Sequence, residues 1–177
     1  GVTAPTATKI DEIPYDFLRK RLTIVIDDPK ADQHLIVTKG AADTVLDCCD
    51  RVAGPDGPRP LDPAMRDRLD AYCHDRGTEG YRVLGLATRH LPPRPRYEAA
   101  DEDGMILEGF LLFFDPLKDD IVPTLSDLAA LGIAVKVITG DSRHVAAHVG
   151  QAVGLTGPLL TGADLAQTRD EALWHLA

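Results

Sequence analysis

The tripeptide Thr139-Gly140-Asp141 is the part of this sequence that most directly suggests chemistry. It follows an apolar run, Ile133 to Ile138, typical of a strand, and it precedes a helix predicted to begin at Ser142. Asp115 ends another apolar run upstream. Ligands of open α/β sheets bind at the carboxyl ends of the strands, and a hydroxyl beside a helix N-terminus suits a phosphoryl oxygen. The pattern predicts phosphoryl chemistry here, with a plain turn and helix N-cap as the alternative.

Aromatic and basic side chains form a second candidate site in the first half of the chain. If residues 10–26 are extended, side-chain alternation places Phe17, Arg19 and Arg21 on one face. By the same alternation Lys39 shares a face with Leu35 and Val37, and Arg82 shares one with Leu84 and Leu86. A ring among cations on an apolar sheet face suits a nucleotide, whose base stacks while its phosphates meet the cations. The alternative is a solvated basic stripe with Phe17 in the core.

Composition narrows the classes of partner. The chain has 177 residues, enough for one domain or two small ones, and a net charge of −9 with a pI near 5.0. That charge argues against nucleic acid or an anionic membrane surface as the main partner. The longest apolar run, Met105 to Phe114, is too short to span a bilayer. The 3 cysteines form neither a disulfide framework nor a metal-binding spacing, so we expect buried thiols, a reducing compartment and no metal site.

The first part of the chain is expected to be a mostly antiparallel α+β module. The predicted elements are a strand-like stretch from Ile10 to Ile26, a returning strand His34–Lys39, a short helix Ala41–Cys49, a helix capped at Asp62-Pro63, a strand Tyr81–Thr88 and an exposed connection Leu91–Asp103.

The pattern changes at Met105 to an alternation of strands and helices. The predicted elements are a strand Met105–Phe114, a helix Asp120–Leu131, a strand Ile133–Ile138, a helix Ser142–Val153 and a last helix near Thr168, whose spacing to Glu171 fits a capping box. Such alternation is typical of a parallel sheet covered by helices. The sequence therefore predicts a second, α/β module after about residue 112.

Five segments resemble, in the same order, the P-type cation-transporting ATPases, and among them the bacterial magnesium-transporting group. The segments are Lys9–Arg21, Thr38–Ala41, Gly80–Val83, Phe114–Lys118 and Ile138–Ser142. The resemblance runs from about Lys9 to Leu155. It implies an α+β nucleotide-binding (N) domain over residues 1–112, followed over 113–177 by part of a haloacid-dehalogenase-like, Rossmann-like phosphorylation (P) domain.

The resemblance also implies roles for individual residues. Phe17 matches the aromatic that stacks on adenine, and Lys39 with Gly40 matches a pocket under the base and ribose. Arg82 matches the arginine that meets the triphosphate. We place Arg19, Arg21 and Leu84 in the same cofactor-binding set.

In the second module the resemblance assigns the phosphoryl-binding and hinge positions. Thr139 and Gly140 match the groups that hold the transferred phosphoryl oxygens, with Asp141 beside them. Asp115-Pro116 matches the hinge at which the chain re-enters the phosphorylation domain. Leu117 stands where the family usually has proline, so the hinge is expected to be less stiff. Tyr15 replaces a phenylalanine of the family's first segment, which is a mild departure.

Two family motifs are absent from the sequence. Neither D-K-T-G-T, which carries the phosphorylated aspartate, nor G-D-G-x-N-D-x-P, which carries Mg²⁺-binding carboxylates, is present. We therefore expect a piece of a larger pump that binds ATP but does not hydrolyse it, with ATP and Mg²⁺ as cofactors and the Mg²⁺ ligands elsewhere.

The expected partners are ATP and the rest of the same polypeptide, namely its phosphorylation, actuator and transmembrane domains. The segment is expected at the cytoplasmic face of the cell membrane, without inserting into it. Two alternatives remain. One is a haloacid-dehalogenase-type phosphatase, although no D-x-D nucleophile motif precedes the predicted sheet. The other is a nucleotide-binding module without catalysis.

Overall fold

A computed structural model describes residues 7–28, 31–155 and 157–167. Its contacts divide the chain into two compact units. The first unit comprises Gly1–Asp75 and Val83–Phe113, and the second comprises Arg76–Arg82 and Phe114–Ala177.

A seven-stranded mixed sheet forms the centre of the first unit. Its strands are β1 (Lys9–Asp16), β2 (Arg21–Asp28), β3 (Gln33–Ala41), β4 (Cys49–Val52), β5 (Arg59–Pro60), β6 (Arg82–Leu91) and β7 (Met105–Phe113). They lie in the order β1-β2-β3-β6-β7-β4-β5. Two helices, α1 (Ala42–Leu46) and α2 (Pro63–Thr78), complete the described elements up to Phe113, together with one 3-10 turn at Ala99–Asp101. The α+β class expected from the sequence is confirmed for this part.

The core lies on one face of the antiparallel strands. Thr23 pairs with Thr38 and Val25 with Ile36, and all four are fully buried. Period-two alternation of β-branched residues favours this arrangement, because it places every second side chain against the core. Helix α1 packs closely on that face: a Cβ at Gly85 would lie 2.8 Å from the Cβ of Val45.

The strand-like stretch predicted from Ile10 to Ile26 is strand over most of its length, but it is not one extended segment. A turn at residues 17–20 divides it into the antiparallel strands β1 and β2. The cause is local, because the Asp16 carboxylate accepts hydrogen bonds from the backbone N–H groups of Leu18 and Arg19, each at 2.8 Å. Short acidic side chains favour such turns.

The strand predicted at Met105–Phe114 is present as β7, but it does not begin an α/β sheet, as the alternation after Met105 suggested. Strand β7 instead lies inside the first unit's sheet, between β6 and β4, and it runs parallel to β4. Met105 and Leu107 are almost completely buried in the core of that unit. Burial of these two side chains explains why β7 joins the existing sheet.

The connection from Leu91 to Asp103 is not uniformly exposed, contrary to expectation. Tyr97 and Glu102 within it are 4% and 3% exposed. The Tyr97 hydroxyl lies 2.7 Å from Nδ1 of buried His34, and the backbone N–H of Tyr97 donates to Asp11. The segment therefore packs across the first unit.

The second unit contains the predicted helices but not the predicted strand. Helix α3 spans Ile121–Ala130 and helix α4 spans Arg143–Ala152. Each is followed by a glycine with positive φ, Gly132 and Gly154, as expected of helix C-terminal caps. No strand is assigned at Ile133–Ile138, so that prediction is wrong for this structure.

The last described element is α5 (Gly162–Gln167), which the sequence pattern did not predict. The helix predicted near Thr168, with its capping-box partner Glu171, lies outside the described residues. None of the helices in the described ranges has the length and apolar character needed to cross a bilayer.

The three cysteines are covered thiols, as predicted. Cys48 is buried, and Cys49 and Cys73 are half-buried. Burial raises the pKa of Cys49 to about 12 and that of Cys73 to about 11. Both thiols are therefore protonated and unreactive at neutral pH.

Candidate functional site

Phe17 lies on the turn between β1 and β2, and its side chain is 86% exposed. The turn is defined by the two hydrogen bonds to Asp16 and by a third from the Lys20 N–H to the Asp16 carbonyl, at 2.6 Å. The two backbone N–H donors to its carboxylate lower the pKa of Asp16, which keeps that group ionised. A large aromatic ring is thus offered to solvent from a turn of fixed backbone.

A second exposed aromatic lies beside this ring. Tyr15 packs edge-to-face against Phe17, with ring centroids 5.4 Å apart and an interplanar angle of 88°. Such T-shaped pairs are a favourable aromatic geometry. The contact leaves Tyr15 about half exposed and limits the orientations open to Phe17.

Gly40 allows the turn to close against β3. The backbone N–H of Ala41 donates to the Lys20 carbonyl at 3.0 Å. A Cβ at position 40 would lie 2.4 Å from that same carbonyl oxygen and 2.5 Å from the Cβ of Arg21. Only a residue without a side chain fits, so Gly40 positions the turn that carries Phe17.

Lys39 lies on the sheet face opposite the buried one. Its neighbours across the strands are Leu22 on β2 and Leu86 on β6. Leu84 precedes Leu86 by two residues and shares this face. An exposed ammonium group is therefore set among aliphatic side chains, as the alternation in β3 predicted.

Arg19 and Arg21 do not share an extended face with Phe17, contrary to the prediction, because residues 17–20 form a turn. Both guanidinium groups bind Glu102 instead. Arg19 Nη1 lies 2.7 and 2.6 Å from the two carboxylate oxygens, and Arg21 Nε lies 2.7 Å from Oε2. The Thr23 hydroxyl also donates to Oε1, at 2.7 Å.

Sequence reasoning missed Glu102. Burial of its carboxylate raises its pKa, but hydrogen bonds from Thr23, Arg19 and Arg21 outweigh this effect, so its pKa lies below the ordinary value. An acidic residue in a stretch rich in proline and charge gives no local indication of burial. Its partners lie about 80 residues away, at separations of 79 to 83.

The second unit brings together three of the predicted residues, Arg82, Thr139 and Asp141. Arg82 forms an ion pair with Asp141. Thr139 donates from its hydroxyl to Asp141 Oδ2 at 2.8 Å, and the Asp141 N–H lies 3.1 Å from the Thr139 oxygen. Gly140 between them has open space around it.

Helix α4 begins directly after this group. Ser142 is its N-cap, with the hydroxyl oxygen 3.4 Å from the N–H of Val145. The Arg82 guanidinium, the Thr139 hydroxyl and the N-terminus of α4 therefore lie next to one another at the segment predicted for phosphoryl binding. Asp115 is exposed in the non-helical stretch before α3.

Comparison with known proteins defines the class. The family model for the cytoplasmic domain N of P-type ATPases matches residues 2–120. The chain belongs to the P-type ATPase family, and its matched part is the N domain of such an ATPase. The resemblance found in the five sequence segments is thereby confirmed.

Among its relatives the chain is similar to magnesium-transporting ATPases. It is 40% identical over 171 residues to the "Magnesium-transporting ATPase, P-type 1" of Escherichia coli K12, and 41% identical over 171 residues to the protein of that name in Salmonella typhimurium 14028s. Each alignment covers 96% of this chain and 19% of the relative. The human sodium/potassium-transporting ATPase subunit alpha-3 is 28% identical over 158 residues, which is 83% of this chain and 16% of that protein. The chain thus spans about a fifth of the length of the magnesium-transporting relatives.

Proposed function

We propose that this chain is the cytoplasmic ATP-binding portion of an ATP-driven cation pump that works through an aspartyl-phosphate intermediate, with magnesium as the transported ion. Family membership supports the pump, and the names of the bacterial relatives support magnesium.

The observation that carries the ATP-binding assignment is the presentation of Phe17. Its ring is almost fully exposed on a turn held by Asp16 and closed over Gly40. Exposure of an aromatic ring of this size to water is unfavourable, and the ring does not contribute to the core. It suits stacking by a base, which contributes about 1–3 kcal/mol in nucleic-acid complexes. Lys39, with its ammonium group among aliphatic neighbours, is assigned together with Gly40 to the pocket under the base and ribose. Leu84 extends the same aliphatic face.

The residues of the second unit suit the phosphoryl end of the reaction. We assign Thr139, Gly140 and Asp141, with Arg82, to the handling of phosphoryl oxygens, and Asp115-Pro116 to a hinge. The second unit is accordingly proposed to be part of a haloacid-dehalogenase-like phosphorylation domain. The Arg82–Asp141 ion pair supports a site in which a guanidinium can exchange a carboxylate for a phosphate, because both anions accept its N–H donors.

Mg²⁺ is the expected companion of ATP in this reaction. The parts of the chain that the structure describes contain no group of three or more His, Cys, Asp or Glu residues arranged to hold a metal ion. We propose that the Mg²⁺ ligands lie elsewhere in the pump, because the G-D-G-x-N-D-x-P motif is absent from this sequence. The proposed partners are ATP and the remaining phosphorylation, actuator and transmembrane domains of the same polypeptide, at the cytoplasmic face of the cell membrane.

Titration of the 177-residue chain with ATP, followed by amide chemical shifts, tests the assignment. Shifts are expected near Phe17 and Lys39. Phe17→Ala should weaken ATP binding about five- to 150-fold, which corresponds to the stacking contribution of about 1–3 kcal/mol. Lys39→Met should weaken ATP and adenosine by similar factors, because the lysine is assigned to the pocket under the base and ribose, which both ligands share.

Leu18→Ala is the matched control. Leu18 lies in the same turn and is 92% exposed, but its side chain is not aromatic. Its truncation should leave ATP binding unchanged. Equal binding by the Phe17→Ala variant and the unmodified chain would contradict the assignment, as would shifts confined to other surfaces.

A further inference from the structure

Glu102 is the one carboxylate buried among the described residues, and its side chain has no exposed surface. It follows the 3-10 turn at Ala99–Asp101 and precedes β7, far from the Phe17 turn in sequence. A buried charge is unfavourable unless paired and hydrogen-bonded, and Glu102 accepts from two guanidinium groups and a hydroxyl. The pairing specifies the positions of all three partners.

The two arginines extend this arrangement to neighbouring elements. Arg19 Nη2 donates to the carbonyl of Pro14 on β1, at 2.8 Å, and Arg21 Nη1 donates to the carbonyl of Thr44 on α1, at 3.1 Å. Arg19 lies within the turn, two residues after Phe17, and Arg21 lies at the start of β2. The carboxylate therefore ties both the turn and the strand that follows it to the core of the first unit.

Other contacts hold the backbone of the turn, both to itself and to β3. Asp16 closes the turn on itself, and Ala41 holds one carbonyl of it to β3. The hydrogen bonds of Arg19 to Glu102 add a connection between the turn and a buried carboxylate, made through a side chain that belongs to the turn. Without Glu102, Arg19 and Arg21 would keep two like charges close together without the anion between them.

We propose that Glu102 is a positioning residue for nucleotide binding, which fixes through Arg19 and Arg21 the turn that presents Phe17 to the base. This inference rests on the proposed function of Phe17. It gives Arg19 and Arg21 a positioning role in place of direct contact with phosphate. A ring held in its binding orientation loses less conformational freedom when the base stacks on it, so the affinity for the base rises.

The variant Glu102→Gln tests the proposal because it keeps the shape and removes the charge. In the 177-residue chain the dissociation constants of ATP and of adenosine should both rise, by the same factor of about two- to tenfold, the range expected for one side chain that must be ordered on binding. A rise for neither ligand in a folded variant would overturn the proposal.

A double-variant cycle separates positioning from general destabilisation. In the Phe17→Ala background, Glu102→Gln should add no further loss of affinity, because the ring that it positions is gone. Ile36→Val is the matched control: Ile36 is fully buried on β3, so the substitution lowers the melting temperature without touching Glu102. It should leave both dissociation constants unchanged. Additive losses in the double variant would overturn the positioning role.

Arg19→Gln provides a second test if Glu102→Gln does not fold. If the affinities for ATP and adenosine fall by equal factors, the result supports positioning. If only the affinity for ATP falls, Arg19 contacts a phosphate and the proposal is overturned. These variants distinguish the proposed function of Phe17 from the proposed role of Glu102. If Phe17→Ala leaves ATP binding unchanged, the proposed function is wrong. If Phe17→Ala weakens binding while Glu102→Gln and Arg19→Gln do not, only the role of Glu102 is wrong.

Discussion

The acid–base behaviour of Glu102 gives a prediction for a single residue. Its hydrogen bonds hold its pKa below the ordinary value of 4.5 in the folded protein. A carboxylate of depressed folded pKa contributes stability that is fully present above its unfolded pKa and is lost as pH falls through its folded pKa. The free energy of unfolding should therefore decrease below about pH 5, and Glu102 should account for part of that decrease.

Urea unfolding of the unmodified chain and Glu102→Gln at a series of pH values measures this contribution. The difference in stability should be largest near neutral pH and should shrink as the pH falls below 4.5. The lowered pKa values of Asp11, Asp16 and Asp164 affect both proteins alike and cancel in the comparison. Glu12→Gln removes a surface carboxylate whose ion pair with Lys9 is half exposed, and because such pairs contribute little to stability it should keep nearly the full pH dependence. Parallel curves for Glu102→Gln and the unmodified chain would contradict the prediction.

At the scale of single residues, sequence reasoning identified exposed groups better than buried ones. Strand alternation placed Lys39 on the face that it occupies, because β3 is regular and its neighbours are aliphatic. The same reasoning failed for Arg19, since it required an extended chain where Asp16 forms a turn. Glu102 could not be found because its burial depends on partners distant in sequence, which no local pattern encodes.

Among the elements, the segment Ile133–Ile138 differs most from its sequence pattern. It has strand-like composition, yet no strand is assigned to it. Ile138 is 98% exposed and Val137 56%. A strand needs a partner for its backbone groups as well as β-branched side chains. Composition alone therefore predicted a strand that the described contacts do not form.

We predict that amides in Ile133–Ile138 exchange with solvent faster than those of Leu22–Ile26, which are hydrogen-bonded in the sheet. Hydrogen exchange of a dilute sample followed by mass spectrometry measures this, with light scattering to verify that the chain is monomeric. Self-association could cover the exposed apolar side chains and slow exchange, so a concentration series is the control. Equal protection of the two segments in a monomer would contradict the prediction.

Helices whose ends are specified by capping residues close in sequence were predicted well. Asp62 accepts from the N–H of Met65 at 2.7 Å at the start of α2, and the glycines after α3 and α4 have positive φ. Membership in a sheet was predicted poorly. Strand β7 pairs with β4, more than 50 residues earlier, so nothing near Met105 indicates which sheet it joins.

The chain as a whole is predicted neither to hydrolyse ATP nor to form a phosphoenzyme. Asp115 is followed by Pro116 and Asp141 by Ser142, whereas the family's nucleophile is followed by lysine and threonine. Without bound metal the charge that develops on the phosphoryl group lacks its main counter-charge, a loss of several kcal/mol in transition-state stabilisation. Incubation with γ-labelled ATP and Mg²⁺, followed by an acid quench, should leave the protein unlabelled.

The controls for this experiment are the variants Asp115→Asn and Asp141→Asn. Hydroxylamine-sensitive label on the unmodified chain that disappears in either variant would show that the chain carries its own nucleophile. Such a label would overturn the prediction that this chain cannot form a phosphoenzyme.

The bonds between Arg19 and Glu102 join residues 83 positions apart. During synthesis the hairpin of β1 and β2 leaves the ribosome long before Glu102 does, and local hairpins form within microseconds. Before Glu102 is synthesised, both arginines of this hairpin lack the carboxylate, and the turn gains that contact only after β6 and the segment before β7 have been made. A nascent chain that stops short of residue 102 has the aromatic ring but not the carboxylate, and under the proposed role of Glu102 it would bind a nucleotide more weakly than a chain that includes this residue.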